Sequence, residues 1–134
     1  MGSILALDYG TTRIGVAISD TLRITAQPLA VIQVEEFEER LRELIRDRDV
    51  DLVVVGLPTS LDGSEGPSAA GARRLAERVG AITGVTVEMV DERFTTATAE
   101  RVLVEGNVRR RRRREVVDKV AAAVILHGYL ETLP

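Results

Sequence analysis

The sequence predicts an α/β fold built on a mixed five-stranded sheet with helices on both faces. Three observations carry this. Three strand-like runs follow one another at the start, from Ser3 to Val34, with connections too short to hold a helix. The remainder alternates between helical and strand-like periodicity. Leu52-Val53-Val54-Val55 is a continuous apolar run, suited to a central strand covered on both faces. Tight early connections impose antiparallel pairing, and helical crossovers impose parallel pairing.

Each element has its own signal. Ser3 to Asp8 is short, apolar and ends in a carboxylate, and Tyr9-Gly10-Thr11-Thr12 is a turn. Ile14 to Ser19 completes a hairpin. Ile24 to Val34 is the third strand, and Pro28 within it points to an edge strand or a break. Glu35 to Arg48 reads as a helix with Phe37, Leu41, Leu44 and Ile45 on one face. The strand Asp51 to Gly56 is followed by a loop, Leu57 to Gly66. Pro67 opens a helix whose inner face is Ala69, Ala72, Leu75, Ala76 and Val79. Val85 to Val90 is the last strand and runs into Asp91-Glu92. Thr95 or Thr96 caps a short helix to about Val104, Gly106-Asn107 ends it, and a final helix spans about Arg112 to Leu130.

The 134 residues, 45% hydrophobic and 29% charged, form one domain, 1–134, with enough chain for a single core. Without cysteine there is no disulfide and no thiolate metal site, so any metal is held by oxygen or by the single His127. That chemistry favours magnesium or manganese over structural zinc. The lack of cysteine fits a reducing compartment. The first residues lack a charged, apolar leader, and no apolar run is long enough to span a bilayer. The expectation is a cytoplasmic protein without a membrane partner. The net charge of −3 is not that of a bulk nucleic-acid binder, but it hides an unbroken run of arginines from Arg109 to Arg114.

Carboxylates stand where ligands gather in α/β sheets, at strand ends. Asp8 ends the first strand and Glu92 follows the last. Asp118 lies at the edge of the final helix's apolar face, beside Ala121-Ala122-Ala123, whose small side chains permit close packing on the sheet. Three convergent carboxylates are costly to keep ionised without a cation. Two divalent ions about 3.5–4 Å apart would both relieve that repulsion and support phosphodiester hydrolysis.

Four segments together resemble the YqgF/RuvX family: Leu7-Asp8-Tyr9-Gly10 with Arg13-Ile14-Gly15-Val16-Ala17, Val55-Gly56-Leu57-Pro58 with Asp62-Gly63, Asp91-Glu92-Arg93-Phe94-Thr95-Thr96, and Asp118 with Ala121-Ala122 and Ile125-Leu126. They occur in family order over nearly the whole chain. The resemblance implies an RNase H-like fold related to junction resolvases. It also implies a nuclease acting as a Holliday junction resolvase or maturing the 5′ end of 16S rRNA, with Asp8, Glu92 and Asp118 as catalytic, metal-binding residues. Asp91 is an auxiliary or structural neighbour. The arginine run is an extreme form of the basic loop usual in the family.

Other residues admit plainer readings. Thr11 and Thr12 suit either phosphate contact or a hairpin turn, and Arg13 suits either phosphate contact or exposure. Glu35, Glu36, Glu38 and Glu39 read as a solvated helix face. Asp118 could instead pair with Arg114 one turn earlier. His127 reads as a packed or partly exposed helix residue rather than a catalyst. Arg109, Arg110, Arg111, Arg112, Arg113 and Arg114 form a phosphate-binding arm for branched DNA or structured precursor rRNA. Aromatic residues, at 3%, are too sparse for single-strand stacking platforms. Coordinated junction cutting would call for a homodimer. Two rival functions remain at this level. One is a non-catalytic nucleic-acid or ribosome-assembly module. The other is an ATP-binding phosphotransferase of the actin-like type, suggested by Asp8-Tyr9-Gly10-Thr11-Thr12.

Overall fold

The computed structural model describes residues 2–59, 62–92 and 110–134, with the backbone alone for 110–118. The elements are β1 (Ser3–Asp8), β2 (Arg13–Ser19), β3 (Ala26–Gln33), a 3-10 turn (Val34–Glu36), α1 (Phe37–Asp47), β4 (Val50–Leu57), α2 (Pro67–Thr83), β5 (Thr86–Asp91) and α3 (Arg110–Glu131). The short helix expected from Thr95 or Thr96 to Val104 lies outside the described residues, as does Arg109.

The five strands form one sheet in the order β3-β2-β1-β4-β5. β1 pairs antiparallel with β2, and β2 with β3. β1 pairs parallel with β4, and β4 with β5. The mixed sheet expected from connection lengths is the one observed. Pro28 sits on the edge strand, opposite Ala17, where the register shifts by one residue. An edge tolerates the missing N–H that a central ladder would not.

The third strand starts two residues later than its apolar pattern suggests. The Asp20 carboxylate explains the difference: it accepts hydrogen bonds from the Ile24 and Thr25 amides at 2.8 and 2.9 Å, holding both in the turn. Those bonds, the Thr25 amide's first, hold the Asp20 carboxyl below the usual carboxylate range. At the other end of the strand, residues 34–36 form the 3-10 turn, so α1 begins at Phe37 rather than Glu35.

Side-chain alternation divides the core into two layers. Leu5, Leu7, Val53 and Val55 pack with Phe37, Leu41, Leu75 and Val79 under α1 and α2. Ile4, Ala6, Leu52 and Val54 pack with Ala122, Leu126 and Leu130 of α3. Ala121 and Ala122 are completely buried, and their small side chains let the helix lie close to the sheet. Toward its C-terminal end α3 packs on the start of β1, and the Tyr129 hydroxyl donates to Glu88 of β5. Ile125 lies farther up, against Gly56 near the end of β4. The helix therefore runs antiparallel to β4, with its N-terminal half on the side where β4 ends. Among the described residues no helix is long and apolar enough to cross a membrane.

Candidate active site at the sheet edge

The C-terminal ends of β1, β4 and β5 lie side by side. In β1, Ile4 and Ala6 face α3, so alternation turns Asp8 to the same side. Asp8 is buried, with 6% of its surface exposed. A carboxylate so placed is costly to keep charged without cations or donors around it. Glu92 is the first residue after β5 and is half-buried. Its neighbour Val90 packs in the α3 layer, which assigns Glu92 to that layer as well.

Gly56 stands between them, on the strand that separates β1 from β5. A Cβ built on Gly56 would lie 2.6 Å from Ile125 Cδ1, 2.9 Å from Glu92 Oε2 and 3.0 Å from Glu92 Cδ. The space a side chain would fill is thus taken by the Glu92 carboxyl group and by α3. Glycine within a branched strand often marks such a close approach. The signal was present in Val55-Gly56-Leu57, but position 56 was not among the predicted site residues.

Asp91 points the other way. Its neighbours Val87 and Met89 pack in the α1 and α2 layer, and Asp91 accepts a hydrogen bond from Thr59 Oγ1 at 2.6 Å. It ties β5 to the loop after β4. That loop is also clamped to α2, where Arg73 donates from Nε and Nη2 to the two carboxylate oxygens of Glu65 at 2.8 and 2.7 Å. This hydrogen-bonded pairing lowers the Glu65 pKa.

The remaining predicted residues are distributed as follows. Thr11 and Thr12 are exposed in the β1–β2 turn, where the Thr12 carbonyl accepts from the Val34 amide at 3.1 Å. Arg13 opens β2 and is half-buried, opposite Gln33. Arg110 to Arg114 form the first turn and a half of α3, and Asp118 lies two turns before Ile125 on the same helix. The side chains of Arg110–Arg114 and Asp118 are outside the described set. Among the described residues, no three or more His, Cys, Asp or Glu side chains form a metal-binding group. His127 is exposed and pairs with Glu131 at 2.9 Å, on the solvent side of α3.

The profile of the RuvX family, described as Holliday junction resolvase, matches residues 2–132. The chain belongs to the RuvX family. This RuvX-family chain is 44% identical to a protein from Listeria monocytogenes over 96% of its own length and 97% of the relative's. It is 44% identical to one from Paracoccus denitrificans, covering 98% and 85%, and 42% identical to one from Bacillus anthracis, covering 96% and 98%. All three are named as candidate pre-16S rRNA nucleases. Among solved structures, it resembles Thermus thermophilus RuvC in complex with Holliday junction substrate, with a TM-score of 0.59 at 15% identity and coverage of 97% and 94%. The fowlpox virus Holliday junction resolvase gives 0.55 at 14% identity, covering 98% and 99%. These structural likenesses establish the RNase H-like fold, and the family is one of nucleases.

Proposed function

We propose that this chain is a metal-dependent, structure-selective endonuclease that hydrolyses phosphodiester bonds in branched DNA or in precursor 16S rRNA. Two observations support the reading: strand alternation turns Asp8 to the α3 side of β1, and the Glu92 carboxyl group lies over Gly56 of the adjacent strand β4.

The donor set suits magnesium or manganese. It is all oxygen and anionic, as hard divalent cations require, and one member, Asp8, is buried. Asp8 and Glu92 would hold the metal, together with Asp118, whose helix α3 packs on this face of the sheet. When bound, such ions polarise the phosphoryl oxygens and lower the pKa of an attacking water. The protein's own part is positioning. The β1 ladder fixes Asp8, and the glycine cradle fixes the Glu92 carboxyl group. Clamping of the β4–α2 loop by Asp91 and Glu65 keeps the flank of the site in place. The arginines at the start of α3, with Arg109 and Arg13, supply phosphate contacts that orient the backbone without reading sequence.

Asp8→Asn keeps the shape of the side chain and removes its charge. Cleavage should fall by more than about 100-fold, beyond what the loss of a residue one step removed from an ion costs. The measurement is a cleavage panel of four-way junctions, nicked and flapped duplexes and precursor rRNA, each with magnesium or manganese. An Asp8→Asn protein that melts like the parent and cuts as fast would overturn the assignment. Saturable manganese binding by the parent, weakened in Glu92→Gln, separates the enzyme from a module that only binds nucleic acid.

A further inference from the structure

Asp8 and Tyr9 are consecutive, yet they serve opposite faces of the sheet. Asp8 belongs to the α3 layer, whereas Tyr9 packs against the core under α1 and α2. On that second face lies a cleft of about 380 Å³, bounded by the β1–β2 turn, the start of α1 and one face of α2. Its volume falls in the range of about 300–1,000 Å³ typical of small-molecule sites.

The lining has two chemistries. The floor is apolar, made by Ile14, Phe37 and Leu75, with Tyr9 as a wall. The mouth carries Arg74 and Arg78, one helical turn apart. Like charges at that spacing repel. Arg78 is compensated by Glu38, with Nε donating to Oε1 at 2.7 Å. No carboxylate pairs with Arg74 among the described residues, and Arg74 is exposed. An uncompensated guanidinium beside an apolar cleft is a donor fork suited to an anion, above all a phosphate.

Gly71 adds an independent observation. A Cβ built there would lie 2.3 Å from Tyr9 Cε2 and 2.5 Å from the Tyr9 hydroxyl oxygen. Glycine inside a helix costs roughly 1 kcal/mol relative to alanine. Here it gives the tyrosine ring a seat flat enough to form the cleft wall. An apolar slot with an aromatic wall and a phosphate-seeking arginine at its mouth fits one ligand class, a nucleotide: a planar base with an attached phosphate.

We propose that this cleft is a nucleotide subsite, holding one base against Tyr9 and Phe37 with its phosphate on Arg74. Its position deepens the nuclease reading and rests on it for the source of the nucleotide. The β1–β2 turn, which follows Asp8 directly, also lines the cleft through Gly10 and Thr11, so a strand held at Asp8 would reach the cleft across that turn. The alternative source is a free mononucleotide.

The test is an NMR titration of the isotope-labelled protein in EDTA, where binding is read without cleavage. The probes are AMP and UMP, the corresponding nucleosides, inorganic phosphate and a six-nucleotide single-stranded RNA. Saturable shifts at Gly10, Thr11, Gly71 and Arg74 are expected with the nucleotides. Arg74→Glu should weaken this binding at least tenfold while leaving the spectrum of a folded protein. Gly71→Ala, which displaces the ring, should weaken the nucleosides as well. Binding of the hexamer at least tenfold tighter than AMP or UMP assigns the site to a strand, and the reverse order assigns it to a free nucleotide. No saturable shift at these residues, or equal affinity in Arg74→Glu, overturns the proposal. The titration is repeated in Asp8→Asn, so failure of the catalytic assignment and failure of the subsite are read separately.

Discussion

A methyl group added at Gly56 has nowhere to go, because Ile125 and the Glu92 carboxyl group already occupy its place. Gly56→Ala is therefore expected to destabilise the fold by about 1–3 kcal/mol, the usual cost of overpacking. Displacing Glu92 by even 1 Å should cut cleavage by about 100-fold, as misplaced catalytic groups do. Urea unfolding and single-turnover cleavage check the two effects. A variant with parental stability and rate would show that the cradle positions nothing. Gly56 was legible in the sequence only as an odd residue in a branched strand. What occupies its empty side could not be read there, because Glu92 and Ile125 are 36 and 69 positions away. For His127 the sequence left a packed or a partly exposed place open, and the helix turns it outward to Glu131.

At the scale of elements, α3 decides whether the site is assembled. Its small residues set its distance from the sheet, and Asp118 rides on the same helix one turn before Ala122. Ala122→Leu should lift the helix, costing about 1–3 kcal/mol of stability. It should also lower cleavage more than binding, since the arginines at the helix start keep their charge. Denaturant melts with parallel binding and cleavage assays test this, and equal losses in binding and cleavage would count against it. The other end of α3 is fastened by Tyr129 to Glu88. Burial, then the Glu88 contact, pushes the Tyr129 pKa up to about 12 from its ordinary 10. A raised phenol pKa stabilises the fold fully below pH 10, and that contribution is lost as pH rises from 10 through 12. Alkaline melts of the parent should thus fall more steeply across that window than those of Tyr129→Phe. Identical slopes would show that the contact contributes nothing.

For the whole molecule, charge distribution matters more than net charge. The total is −3, yet six arginines stand together immediately before and within the start of α3. If about four of them engage duplex phosphates, log K should fall with log salt at a slope of roughly −3.6. Replacing Arg109–Arg114 with alanine should flatten that slope and weaken binding alike on all duplex sequences. Filter binding across a salt series reads both. An unchanged slope would move the phosphate contacts elsewhere on the surface.

The sequence alone determined the α/β class and the mixed sheet, because periodicity and connection length are local properties. Pro28 left an edge strand or a break open, and the strand order makes β3 an edge. The sequence also marked Asp8, Glu92 and Asp118 as candidates, since strand ends and helix faces follow from spacing. Tertiary structure decided which of these share a layer. Alternation sends Asp8 and Glu92 to the α3 side and their immediate neighbours, Tyr9 and Asp91, to the other. It alone made the Gly56 cradle and the Tyr9–Arg74 cleft, because both depend on contacts between segments distant in the chain.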